Sequence, residues 1–187
     1  MCECHCCDLT NTKACNELCT KLGHVDVLVN NAGEFGPSGE DQGPVKGNPD
    51  EWEHVVQLNL NTPMRMTRMF APKMCEKGDG FILNIGDVEG VHTGPRHPVY
   101  AASKHGLRGF SLSSYEALRS KGIHVVLVSP GNVQGTSMAD ATSKNEGGQG
   151  FISPEDVAEA CMFAFRVSDN CVPSEIVLKA IEPHRHA

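Results

Sequence analysis

Three short apolar runs, each ending in residues that break regular structure, constrain this chain more than any other feature. Val25-Asp26-Val27-Leu28-Val29 runs into Asn30-Asn31-Ala32-Gly33. Gly80-Phe81-Ile82-Leu83-Asn84-Ile85-Gly86 is bracketed by glycines, and His124-Val125-Val126-Leu127-Val128 runs into Ser129-Pro130-Gly131. Runs of this length, rich in branched aliphatic residues, read as fully buried strands. The segments between them carry helical spacing. Strands alternating with helices argue for an α/β fold with a mostly parallel sheet covered on both faces.

The remaining elements follow from local signals. Glu3 to Asp8 reads as a short strand. Asn11 to Leu22 reads as a helix, with Ala14, Leu18 and Leu22 on one face and Gly23 as its stop. A Gly- and Pro-rich loop extends to Gly47. Asn48-Pro49-Asp50-Glu51 opens a helix towards Cys75, because Asn caps, Pro suits the first turn and acids suit the positive end. Pro63 and Pro72 are expected to bend it. Val99 to Lys121 is a long helix. Residues 132–150 are polar and Gly-rich and read as a mobile loop. Ser153-Pro154-Glu155-Asp156 opens a helix to Arg166, and Glu175 to Ala180 is a last strand.

Composition removes several classes of function. The 187 residues carry a formal net charge of −7 and no Lys/Arg cluster, which argues against nucleic acid and against an anionic membrane surface. No apolar run approaches the ~20 residues of a membrane span. Met1-Cys2-Glu3-Cys4-His5 lacks the basic and apolar regions of a secretory signal, so a cytoplasmic location is expected. Six of the nine cysteines fall in the first 19 residues. They read as free thiols in a reducing compartment, some on a buried strand. A metal site from Cys4, Cys6, Cys7 and His5 with Cys15 or Cys19 is the rival reading. Its spacing departs from the usual zinc pattern, and no metal is expected.

The chemistry concentrates at Tyr100-Ala101-Ala102-Ser103-Lys104. On a helix Tyr100 and Lys104 share one face, about 6 Å apart along the axis. An ammonium near a phenol favours the phenolate, which suits general acid–base work on an alcohol or carbonyl. The plain alternative is an incidental helical pair. Asn30-Asn31-Ala32-Gly33 and Pro130-Gly131 sit where ligands bind in open α/β sheets, at the carboxyl ends of strands. Asn59 is a polar amide in a helix otherwise patterned for burial.

Together these residues resemble the short-chain dehydrogenase/reductase family. The carriers are Cys7-Asp8-Leu9-Thr10, Asp26 to Gly33, Leu58-Asn59-Leu60-Asn61, Asn84-Ile85-Gly86, Tyr100-x-x-x-Lys104 and Ser129-Pro130-Gly131, so the resemblance spans about Cys7 to Leu178. It implies a Rossmann-type doubly wound sheet and hydride transfer between NAD or NADP and a small alcohol or carbonyl. Tyr100 would be the acid/base. Lys104 would lower its pKa and bind the nicotinamide ribose. Asn59 would hold the helix and a proton-relay water. Asp8 would contact adenine, Asn30, Ala32 and Gly33 would flank the cofactor, and Pro130, Gly131 and Val133 would lie along the nicotinamide. The family's Thr after Pro-Gly is matched one place late by Thr136, and the loop 132–150 would be a substrate lid. Helices 49–77 and 99–121 would form a homo-oligomer interface.

Two departures stand out. Asp87 occupies the position of the family's catalytic Ser, thirteen residues before Tyr100. An ionised Asp only accepts hydrogen bonds, and close to Tyr100 it would raise the phenol's pKa. It would serve if burial kept it protonated, or it would pair with Lys104 or Arg96 in a degraded site. The chain also contains no Thr-Gly-x-x-x-Gly-x-Gly turn. It is expected to be a single, incomplete domain over residues 1–187, lacking the first βαβ unit. Three functions are open at this point: an NAD(P)-dependent oxidoreductase impaired by these departures, a non-catalytic family member acting as a dimer partner or regulator, and a thiol- or metal-binding protein.

Overall fold

The computed structural model describes residues 2–36, 43–95, 97–136 and 150–181. Their elements are α1 (Thr12–Leu22), β1 (Val27–Asn30), α2 (Pro49–Val56), α3 (Thr62–Lys77), β2 (Gly80–Ile85), α4 (Pro98–Leu118), β3 (Ile123–Pro130), α5 (Pro154–Arg166) and β4 (Glu175–Leu178). The helices start where the caps are. The Asn11 side chain accepts from the amides of Lys13 and Ala14, Asn48 accepts from Asp50, and Ser153 and Asp156 cap each other reciprocally.

The strands form one parallel sheet in the order β1-β2-β3-β4. The register sets Leu28 beside Ile82 and Ile82 beside Val125. These three face α1 and α3 and share a core with Cys15, Cys19, Phe70 and Met74. Phe81, Leu83, Val126 and Val128 point the other way, onto Ala164 of α5. Helices therefore cover both faces, the doubly wound arrangement expected. α5 stops short of β1: Phe165 stacks on Phe81 at 4.1 Å, while Val27 and Val29 remain 44% and 54% exposed.

Two expectations change. Residues 3–8 are not a strand; they run irregularly, and Cys2, Cys4 and Cys6 are exposed. The backbone turns at Asp8, whose side chain accepts from the Thr10 amide and hydroxyl and whose carbonyl accepts from Asn11. Cys7 and Leu9 still pack onto the core, so the segment is held by side chains rather than by a ladder. The buried thiols are instead Cys15 and Cys19 of α1. The helix from Pro49 is interrupted just before Pro63, not at it. Pro63 has no N–H to give the Asn59 carbonyl, and the chain absorbs the loss as a wide turn over Gln57–Asn61, where the Thr62 amide reaches back to Gln57. Pro72 lies within α3.

Ile82 is fully buried in the central strand pair, so Ile82→Ala is expected to cost about 2–5 kcal/mol. Val29→Lys on the open face is expected to stay within about 0.5 kcal/mol. Urea denaturation of both variants checks the contrast.

Candidate active site

The carboxyl ends of β1, β2 and β3 open into a cavity of about 460 Å³. Its walls include Asn31, Ala32 and Gly33 after β1, Ile85, Gly86 and Asp87 at the end of β2, Pro130, Gly131 and Val133 after β3, and Tyr100 and Lys104 from α4. The strands are hydrogen-bonded in register, which brings the three loops to one level. A chain of polar side chains fixes them from beneath. Asn30 donates to Asn84 at 2.8 Å, Asn84 to Ser111 at 2.9 Å, and Ser111 to the Leu107 carbonyl at 2.7 Å.

Asn59 performs a related task. Its amide group donates to the Glu34 carbonyl at 2.8 Å and to Ser103 at 3.2 Å, and its oxygen accepts from the Glu34 amide at 2.9 Å. The wide turn thus ties the loop after β1 to α4. Gly33 lies at the contact point, where a Cβ would come within 3.0 Å of Asn59 Oδ1 and 3.4 Å of Lys104 Nζ. Gly90 does the same for the loop after β2. A Cβ there would meet the Lys104 carbonyl at 2.9 Å, so only a bare backbone lets residues 87–90 lie against α4.

Asp87 and Tyr100 are joined directly. The Tyr100 hydroxyl donates to Asp87 Oδ2 at 2.9 Å, and the Glu89 amide donates to Asp87 Oδ1 at 2.7 Å. Burial pushes the Asp87 carboxyl up, and the two donors and the Lys104 charge pull it back. Tyr100 is held well above its ordinary value, first by burial and then by the Asp87 charge and hydrogen bond. Burial lowers Lys104 to about 8. Its ammonium donates to the Ile85 carbonyl at 3.1 Å rather than to the phenol, and it lies 5.6 Å from the centre of the Tyr100 ring. Lys104 and Asp87 act on each other through space only. Arg96, the other partner considered for Asp87, lies outside the described residues.

The family profile of the short chain dehydrogenase matches residues 2–147. The chain belongs to the short-chain dehydrogenase family. Nodulation protein G of Azospirillum brasilense is 35% identical over 138 residues, covering 72% of this chain and 54% of that protein. The 3-oxoacyl-acyl-carrier-protein reductase of Thermotoga maritima is 31% identical over 166 residues, covering 84% of this chain and 65% of that protein. The chain thus spans about half to two thirds of these relatives' length. A metagenomic short-chain oxidoreductase in complex with NADP superposes with a TM-score of 0.76 at 32% identity, covering 96% of this chain and 75% of that one.

Of the family-derived residues, Tyr100, Lys104, Asp87, Ala32, Gly33, Pro130, Gly131, Val133 and Thr136 line the cavity. Asn59 and Asn30 lie behind it as supports. Asp8, expected at adenine, is exposed, caps its own turn and is absent from the lining. Of the loop 132–150, residues 137–149, Met138 included, lie outside the description. Phe35 was missed. It sets its edge against the Tyr100 ring at 4.4 Å and stacks on His97 at 4.6 Å, and its only signal is its place two residues after Gly33.

The chain has two tyrosines, so phenol ionisation followed near 295 nm resolves Tyr100. Asp87→Ser is expected to lower its apparent pKa, since a repelling charge and the acceptor that holds the phenol proton both leave. Lys104 supplies a second check. Between about 8 and its unfolded value of 10.5 the unfolded chain holds the extra proton, so stability rises with pH. From pH 8 to 9.5 the gain is expected to reach about 1–2 kcal/mol in urea denaturation and to vanish in Lys104→Met.

Proposed function

We propose that this cavity is the nicotinamide and substrate end of an NAD(P)-dependent oxidoreductase site that interconverts an alcohol and a carbonyl. The observation that carries the reading is the convergence of Tyr100 and Lys104 on the loops that follow three parallel strands. The residues present suit a flat ring and a ribose. Bare backbone at Gly33 and Gly131, the apolar Ile85, Pro130 and Val133, and the buried ammonium of Lys104 supply the contacts. Lys104 would hold the ribose hydroxyls, and Asn31 to Gly33 and Pro130 to Val133 would flank the rings. The 187 residues include no Gly-x-x-x-Gly-x-Gly turn to cradle a pyrophosphate.

When bound, the nicotinamide supplies or accepts the hydride. The chain's own residues handle the proton. Tyr100 gives its hydroxyl proton to the substrate oxygen in reduction and takes it back in oxidation. To do so the O–H turns away from Asp87. The nearby Lys104 charge eases loss of the proton, and Asp87 opposes it. Phe35 and Val157 exclude water from the apolar side. The structural relative solved with NADP supports the cofactor class. A homo-oligomer through α2, α3 and α4 goes with this reading; Trp52, Val56 and Val99 line a groove where α2 meets α4. The bond from Tyr100 to Asp87 favours a second reading, a non-catalytic family member that acts as a partner or regulator.

Calorimetric titration separates the two. NADPH or NADH is expected to bind saturably at micromolar concentration, and Lys104→Ala to weaken it about tenfold or more, a loss of ~1.4 kcal/mol or more. Tyr100→Phe should abolish turnover of carbonyl substrates. Absence of binding up to millimolar cofactor would leave the non-catalytic reading standing.

A further inference from the structure

Asp87 is the cavity group that alcohol–carbonyl chemistry does not use. Both its oxygens act as acceptors, one from the Glu89 amide and one from the Tyr100 hydroxyl. The same geometry makes the site poor for an oxyanion. A carbonyl under reduction gathers negative charge on oxygen, and a carboxylate one hydrogen bond beyond Tyr100 repels that charge. The phenol that should donate to the oxygen is already donating to Asp87. Glu89, two residues on, adds a second acidic side chain to the same loop and also disfavours charge on Tyr100. Among the described residues of the lining, the one cationic side chain, Lys104, is held towards β2 by the Ile85 carbonyl. Phe35, Ile85, Val133 and Val157 give the wall its apolar surface, beside the neutral polar side chains of Asn31, Asn132 and Thr136.

We propose that the cavity takes the protonated nitrogen counterpart of its substrate, an iminium or ammonium group carried on an apolar body, with Asp87 as counter-ion and acceptor of its N–H. The proposal rests on the hydride-transfer reading above. The step balances without an acid. A hydride from NAD(P)H brings two electrons to the iminium carbon. The carbon–nitrogen π pair moves onto nitrogen and cancels its charge, leaving an amine and NAD(P)+. The nitrogen keeps its hydrogen throughout, and Tyr100 need not give one up. A tyrosine whose proton is engaged and a missing serine donor, defects for a carbonyl, are neutral for an iminium. The carboxylate changes from repelling a developing anion to balancing a cation that is present from the start.

The test uses matched probes and needs no turnover. Calorimetry compares 2-phenylcyclopentylamine, an ammonium at pH 7, with 2-phenylcyclopentanol on the full chain. The ammonium is expected to bind about tenfold tighter or more, and Asp87→Ser and Asp87→Asn should each abolish that preference. The asparagine variant keeps the shape and removes the charge, so it guards against a folding defect in the serine variant. Equal or tighter binding of the alcohol overturns the inference. So does a preference that survives in both variants, or no ammonium binding at millimolar concentration. A second arm compares NADPH-dependent reduction of 2-phenyl-1-pyrroline and 2-phenylcyclopentanone, with kcat/KM expected to favour the cyclic imine and Asp87→Ser to favour the ketone. If cofactor titration fails while ammonium binding depends on Asp87, the hydride-transfer reading falls and the cation site stands. If the cofactor binds and the ketone is the better substrate, the cation site falls alone.

Discussion

The site depends on the parallel registration of β1, β2 and β3. Asn30 pairs with Asn84, Asn84 with Leu127, and Ile85 with Val128, so the loops that follow start at nearly the same height. A slip of one residue would turn every strand side chain to the opposite face. Leu28, Ile82 and Val125 would then leave the α1–α3 core, and Asn30 and Asn84 would lose each other. Burial of those apolar residues on both faces holds the register, and the amide chain from Asn30 to Ser111 adds a polar lock beneath the cavity. A misplaced amide in that chain would be left buried and unpaired, which costs more than the bonds supply when made.

Much of this architecture was legible in the residues. Asn11, Asn48 and Ser153 announced their helices because capping is local, set by a side chain and amides two or three positions away. The strands were legible because full burial selects unbroken aliphatic runs. Tyr100 and Lys104 were legible as a pair because helical spacing fixes their common face. Residues 3–8 misled because a short mixed segment becomes a strand only if another strand is there to bond to it, and that is a property of the neighbours. The position of the helix interruption misled for a subtler reason. Proline removes a donor from its own position, but the carbonyl left unpaired is four residues earlier, so the distortion sits upstream in Gln57–Asn61.

The roles within the site were less legible than its members. Nothing in the spelling of Asn59 says that its amide will be spent on the backbone of Glu34, and nothing around Phe35 says that it will pack on Tyr100. Both contacts join segments far apart in sequence. Asp87 could be flagged as a departure, but its partner could not be chosen. The distance from Asp87 to Tyr100 and Lys104 depends on how closely the loop after β2 approaches α4, and the bare backbone of Gly90 sets that approach. The resulting geometry puts Asp87 on the phenol and leaves Lys104 on a carbonyl. Lys104 can thus influence the phenol only across space, whereas a spacing argument takes direct contact for granted.

The open strand at the edge of the sheet bears on how association of this chain should be interpreted. Among the described residues no strand pairs with the outer side of β1, and Val27 and Val29 present an apolar flank beside it. An edge of that kind recruits other edges with little selectivity. The helical surface of α2 and α4 lies on different elements and, in the homo-oligomer proposed above, would recruit a single, geometrically defined mate. Any growth of particle size with concentration would therefore have two separate origins in one molecule, one open-ended and one self-limiting. A plateau at twice the mass points to the helices; continued growth points to the edge.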